Sequence, residues 1–189
     1  MSTKKMSTKT LALGAILTAL VIVLQLMGSF IHLGMFSVSL VLIPIVIGAA
    51  MCGKFIGAWL GFVFGVTVLL SGDASAFLAI NIPGTIATVL LKGTLCGLGA
   101  GLIYDLFSRK NRYFGVISAA FICPIINTCV FLLGCLIFFM PTIAEWAGDK
   151  DIISFMIFGL GLINFPFELL FNLVLSPVVV RLLNISRKI

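Results

Sequence analysis

The sequence predicts an all-α membrane protein, a compact bundle of six transmembrane helices with both termini cytoplasmic. Three observations predict it. Of the 189 residues, 61% are hydrophobic and only 10% charged, and the mean hydropathy is +1.30. A chain of that length and composition makes one membrane domain (1–189) with no room for a soluble module. The apolar residues fall in runs near or above the roughly 20 residues that cross a bilayer. Apart from Lys92 and Lys150, the basic residues form four clusters: Lys4, Lys5 and Lys9; Lys54; Arg109, Lys110 and Arg112; and Arg181, Arg187 and Lys188. These lie at every second boundary between spans, the positive-inside pattern. The net charge of +6 therefore reports topology, and a nucleic-acid partner is not expected.

The first span covers residues 10–28. It starts after the lysines and has no clear small-residue cleavage site, which makes it a helix rather than a signal peptide. Ala12, Ala15 and Ala19 place small side chains near its cytoplasmic end, where another helix can approach closely. An outer loop follows, carrying Phe30, Phe36 and the sole histidine, His32, a surface or interfacial residue on this reading.

Residues 39–70 are apolar apart from Lys54. That is too long for one crossing and short for two, so a hairpin turning at Cys52-Gly53-Lys54 is expected, with spans 39–52 and 54–70 and one arm short or tilted. The turn puts the ammonium in water. Gly48, Gly53, Gly57, Gly61 and Gly65 give the hairpin a stripe without side chains, a packing centre for the bundle. Gly48 to Lys54 also imitates a phosphate-binding loop. Phe55 stands where that motif needs Ser or Thr, and no strand-loop-helix context surrounds it, so no nucleotide site is expected.

After an ordered outer segment (71–82), the fourth span covers 83–107. Asn81, Thr85, Thr88 and Lys92 make one polar stripe, and Gly93, Gly97 and Gly101 a second stripe for close approach. Lys92 lies about 14 Å along the helix at ~1.5 Å per residue, near mid-bilayer. The SRKNR loop leads into the fifth span, 113–140, with Pro124, Asn127 and Thr128 at its middle. An outer loop (141–151) carries Glu145, Asp149, Asp151 and an interfacial Trp146. The sixth span, 152–183, is long enough to begin with a tilted or re-entrant part and carries Asn164, Glu168, Asn172 and Ser176 at steps of four.

Lys92 and Glu168 are the ionisable groups placed within the hydrocarbon, where each costs about 2.5–3.5 kcal/mol or more on insertion scales. Two readings stay open: the pair knits two spans together, or it lines a cavity with Asn81, Asn127, Asn164 and Asn172. Catalysis is not indicated, since neither H-E-x-x-H nor G-x-S-x-G occurs. A single histidine gives no metal site, no cofactor is expected, and the five cysteines include no C-x-x-C pair. Neither a repeated filter sequence nor rings of like charge suggest an ion channel. No inverted repeat is visible, as a self-sufficient secondary transporter would have. A stand-alone transporter and a ligand-free structural protein are the rival classes.

The chain resembles the substrate-binding S components of energy-coupling factor (ECF) vitamin transporters over nearly its whole length. The likeness rests on Ala15 and Ala19 in an A-x-x-x-A face, the IGAAMCGKFIGAWLGFVFG hairpin, NIPGTIATVLLKG with GLGAGLIY, and FPFELLFNLVLSPVVVRLL. It implies a subunit of a bacterial plasma membrane that binds a vitamin from the outer side. The partners implied are a transmembrane coupling protein and two ABC-type ATPases, with Ala12, Ala15 and Ala19 meeting the coupling protein. It also implies a lid over the site, containing Phe30, His32 and Phe36. FPFELL and SPVVVRLL look closest to the pantothenate-like and riboflavin-like branch. Lys92 would then meet a carboxylate such as that of pantothenate, although Leu91-Lys92 replaces the Pro-Arg pair associated with that type. Pantothenate, then riboflavin, are the expected ligands.

Overall fold

The computed structural model describes residues 8–28, 32–33, 36–37, 40–148, 150–161 and 165–186. Helix α1 (Thr8–Gly28) is followed by a two-residue antiparallel ladder, β1 (His32–Leu33) with β2 (Phe36–Ser37). The hairpin is α2 (Leu42–Cys52) and α3 (Lys54–Ser71), joined at Gly53. Its φ of 96° and ψ of 168° belong to a region essentially reserved for glycine, which is why the turn falls there. Then come α4 (Ser75–Leu78), α5 (Ile82–Phe107), α6 (Arg112–Phe138) and α7 (Met140–Ala147). The last part opens with a helical turn, α8 (Ile152–Ser154), continuous with a π-helical stretch (Phe155–Gly161). It continues as α9 (Phe165–Ser186).

Among the described residues, five helical segments have the length and apolarity to cross a membrane. Helix α2 is the short arm of the hairpin: 11 residues reach about 16 Å at ~1.5 Å per residue, roughly half a hydrocarbon core. It can be short because it is enclosed. Leu42, Ile45, Val46 and Ala49 are buried in the principal core with Leu17 and Val21 of α1, Leu60 and Phe64 of α3, and Val179 and Val180 of α9. The stretch resembling a phosphate loop is the end of α2, the Gly53 turn and the start of α3, and a Cβ on its first residue, Gly48, would strike Leu60 and lie 3.3 Å from Leu17. It is a helix contact.

Two outer segments hold more helix than a loop reading gives. Fifth-span helix ends at Phe138, two residues before the expected boundary, and Phe139 (φ −128°, ψ 6°) breaks it before α7. Pro141 fits the first turn of α7, where its missing N–H would be unpaired in any case. Residues 71–82 include α4.

Large apolar side chains point outward along the long helices, among them Ile16, Leu70, Ile137 and Val174. Lipid is as apolar as these side chains, so helix association depends on close packing rather than on hydrophobic burial. The glycine stripes provide it. Gly57, Gly61 and Gly65 of α3 face Gly97, Gly93 and Val89 of α5. A Cβ on Gly57 would sit 2.6 Å from the Gly97 carbonyl oxygen, and one on Gly65 would sit 2.8 Å from that of Val89. A Cβ on Gly61 would collide with the Gly93 backbone outright. Threonine hydroxyls in the helices bond to carbonyls one turn back, Thr18 to Gly14 and Thr67 to Val63 at 2.8 Å each, so they need no water.

Candidate functional site

A cavity of about 80 Å³ lies beside the α3–α5 contact, towards the end of the bundle where α1 finishes and α4 and α7 sit. Its wall draws on α1, α3, the turn after α3, α4, α5, α6, the π-helical stretch and α9. The opposite end carries the Lys54 turn and the Arg109–Arg112 loop. The volume holds a small cluster of waters, since one needs only about 10–15 Å³ by this measure. It is below the roughly 300–1,000 Å³ of most small-molecule sites, so a vitamin-sized ligand requires the walls to part.

Three of the expected ligand residues meet here: Lys92, Asn127 and Glu168. Lys92 extends from α5 so that Nζ lies 5.7 Å from the centre of the Phe64 ring and 5.3 Å from that of Phe131. Ring faces attract an ammonium, more strongly when water is excluded. Glu168, 5% exposed, falls in the first turn of α9, where the positive end of the helix dipole favours a carboxylate. Its Oε2 accepts a hydrogen bond from Asn127 Nδ2 at 3.4 Å, and Lys92 borders the same cavity. The Asn127 amide is thereby oriented with Oδ1 as the remaining acceptor. That oxygen is buried and has no hydrogen-bond partner.

The other members of the predicted stripes are engaged differently. Asn81 caps α5, its Oδ1 accepting from the Gly84 N–H at 3.0 Å. Thr85 donates back to the Asn81 carbonyl at 2.7 Å. Thr88 is buried against Gly134, its Oγ1 unpaired. Asn172 Nδ2 donates to the Glu168 carbonyl at 2.8 Å, which steadies the turn that carries the carboxylate. None of these four borders the cavity. Asn164 and Phe30 lie outside the described residues. His32 and Phe36 belong to the small ladder, and their side chains are outside the described set. Ala12, Ala15 and Ala19 are exposed on α1. A shallow groove beside Ala15 is lined by Gly14, Thr18, Ile56 and Trp59, and the Trp59 indole donates to Thr18 Oγ1 at 3.2 Å.

Two polar residues of the wall were not singled out from the sequence. Gln25, 2% exposed in the last turn of α1, donates through Nε2 to Asp73 Oδ2 at 2.6 Å. Ser71 Oγ donates to the same oxygen at 3.0 Å. Asp73 is presented by a left-handed Gly72 (φ 87°) that ends α3. The signal for Gln25 was available: it is a strongly polar residue within an otherwise apolar helix, the criterion that identified Lys92. Aromatic rings close the near end. Phe77 of α4 meets Phe131, Phe139 and Trp146 edge to face at centroid distances of 5.6, 5.0 and 5.6 Å.

Among the described residues no group of three or more His, Cys, Asp or Glu is placed to hold a metal. The cysteines are free thiols. Cys96 and Cys123 are buried in the principal core, where they act as small packing residues.

Compared with known proteins, residues 9–180 match the model of the family described as ECF transporter, substrate-specific component. No curated protein and no solved structure matches the chain.

Proposed function

Because the chain belongs to the family of substrate-specific components of ECF transporters, we propose that it captures a vitamin or related small molecule at the outer side of a bacterial plasma membrane. Members are multi-pass substrate-binding subunits rather than enzymes, and work with the ECF module. On this reading the cargo passes inward when the chain is seated on a transmembrane coupling protein driven by two ABC-type ATPases. Both termini face the cytoplasm, following the basic clusters, and the cavity opens outward, away from Lys54 and the Arg109–Arg112 loop.

The observation that carries the reading is the wall formed by Lys92, Asn127 and Glu168. Three ionisable groups, Lys92, Glu168 and Asp73, and an amide oxygen without a partner border one cavity in an otherwise apolar bundle. Groups of this kind inside a membrane usually mark a pathway or a ligand. The exposed alanines of α1 support the docking role, since no internal contact covers them. Pantothenate and riboflavin are the compounds to test first, Lys92 being the partner for a carboxylate or carbonyl. Calorimetric titration of the purified chain, without ATP, tests the reading. Saturable binding of a vitamin is expected, and its weakening in Glu168→Gln.

A further inference from the structure

The strongest feature that the proposed function does not use is the balance of polar groups around the cavity. We infer that the cavity selects a cationic or neutral nitrogenous molecule rich in N–H donors over a carboxylate anion. This rests on the substrate-binding reading and narrows its cargo.

Three observations point the same way. The charged side chains that border the cavity are two carboxylates, Asp73 and Glu168, and one ammonium, Lys92. Asp73 and Glu168 outnumber Lys92 among these side chains, so the wall carries more formal negative than positive charge before any ligand arrives. An entering carboxylate meets two like charges. Second, the buried polar atom left without a partner on this wall is an acceptor, Asn127 Oδ1, and Asn127 is 5% exposed. Its Nδ2 faces the Glu168 carboxylate, so what the ligand must supply there is an N–H or O–H. An acceptor left unpaired on binding costs about 1–3 kcal/mol, so a ligand lacking that donor is rejected. Third, the apolar part of the wall includes three aromatic rings, Phe64, Phe77 and Phe131. Their faces attract cations and disfavour anions. Two of them already hold the Lys92 ammonium, which shows that a cation sits stably against them.

The ranking that follows is organic cation, then neutral donor-bearing ring, then monocarboxylate. It reverses the order that Lys92 alone suggests, placing riboflavin above pantothenate.

The test is calorimetric titration of the full chain in lipid nanodiscs with three probes: thiamine as an aromatic cation, riboflavin as a neutral ring, and pantothenate as a monoanion. Thiamine or riboflavin is expected to bind at least tenfold more tightly than pantothenate. Asp73→Asn is expected to weaken thiamine binding fivefold or more while leaving pantothenate unchanged or stronger, with thermal unfolding of the free protein confirming the fold. Should this variant fail to fold, the wild-type ranking decides alone. Tightest binding of pantothenate, abolished by Lys92→Met, would overturn the inference while leaving the substrate-binding role intact. Binding of none of the three by folded protein would count against the vitamin-capture reading, and the inference would fall with it.

Discussion

The two sides of α5 show opposite uses of the same helix. Towards α3 it offers Gly93, Gly97 and Gly101, and the two backbones approach until a single Cβ cannot be inserted. Towards α6 and α9 it extends Lys92, the longest side chain in its middle, into a cavity walled by Phe131, Asn127 and Glu168. One side gains its stability from the absence of side chains. The other holds charge and polar groups in a setting that penalises both. The contrast teaches that the bundle is not uniformly packed: a closely packed half supports a half that encloses polar groups around a cavity.

Substitutions sharpen this comparison in order of expected effect. Gly61→Leu should be the most damaging, because the new side chain meets the Gly93 backbone, which cannot move aside. A loss above about 3 kcal/mol is expected, seen as a collapse of the thermal transition and of the yield of folded protein. Glu168→Gln should cost less stability than Gly61→Leu and instead lower ligand affinity by more than about tenfold, measured by calorimetry. If it lost stability as Gly61→Leu does, the two halves would not differ as described.

Gln25→Leu comes next. It removes a buried donor to Asp73 and should cost about 1–3 kcal/mol, read from the unfolding midpoint. Ala15→Trp with Ala19→Trp should leave binding and stability unchanged, since both positions are exposed, while abolishing uptake in cells that carry the ECF module. Uptake at the wild-type rate would remove the docking role from α1. The smallest effect is at Asp151, whose side chain caps α8 by accepting from the Ser154 N–H at 2.9 Å. The backbone and side chain of Ser154 hold its carboxyl below the usual range. The cap is therefore present above the ordinary carboxylate pKa and is lost as pH falls through the lowered value. Hydrogen exchange at Ser154 should quicken over that window, and Asp151→Ala should remove the dependence.

Much of the closely packed half was legible in the sequence because it is written in local spacing. The two glycine stripes and the Gly53 turn follow from composition and position alone, and the structure joins the stripes to each other. The polar half was legible only in part. Periodicity identified Lys92 and Glu168, and a mid-span position identified Asn127, but periodicity treated every polar residue of a stripe alike. Asn81, Thr85 and Asn172 instead satisfy backbone groups within a turn of themselves, a local competition that spacing does not reveal. Gln25 and Asp73 meet through tertiary folding, 48 positions apart, so no motif could pair them. Reading residues 141–151 as an outer loop misses α7, although the place of Pro141 at a helix start is a recognisable signal.

The most direct test of the central claim is a titration of the purified chain, without ATP or partner proteins, by a panel of vitamins, repeated with Glu168→Gln. Saturable one-to-one binding that weakens more than about tenfold in the folded variant is the predicted result. Binding of equal strength in Glu168→Gln, or none at all by folded wild-type protein, would contradict the assignment of this cavity as the site of capture.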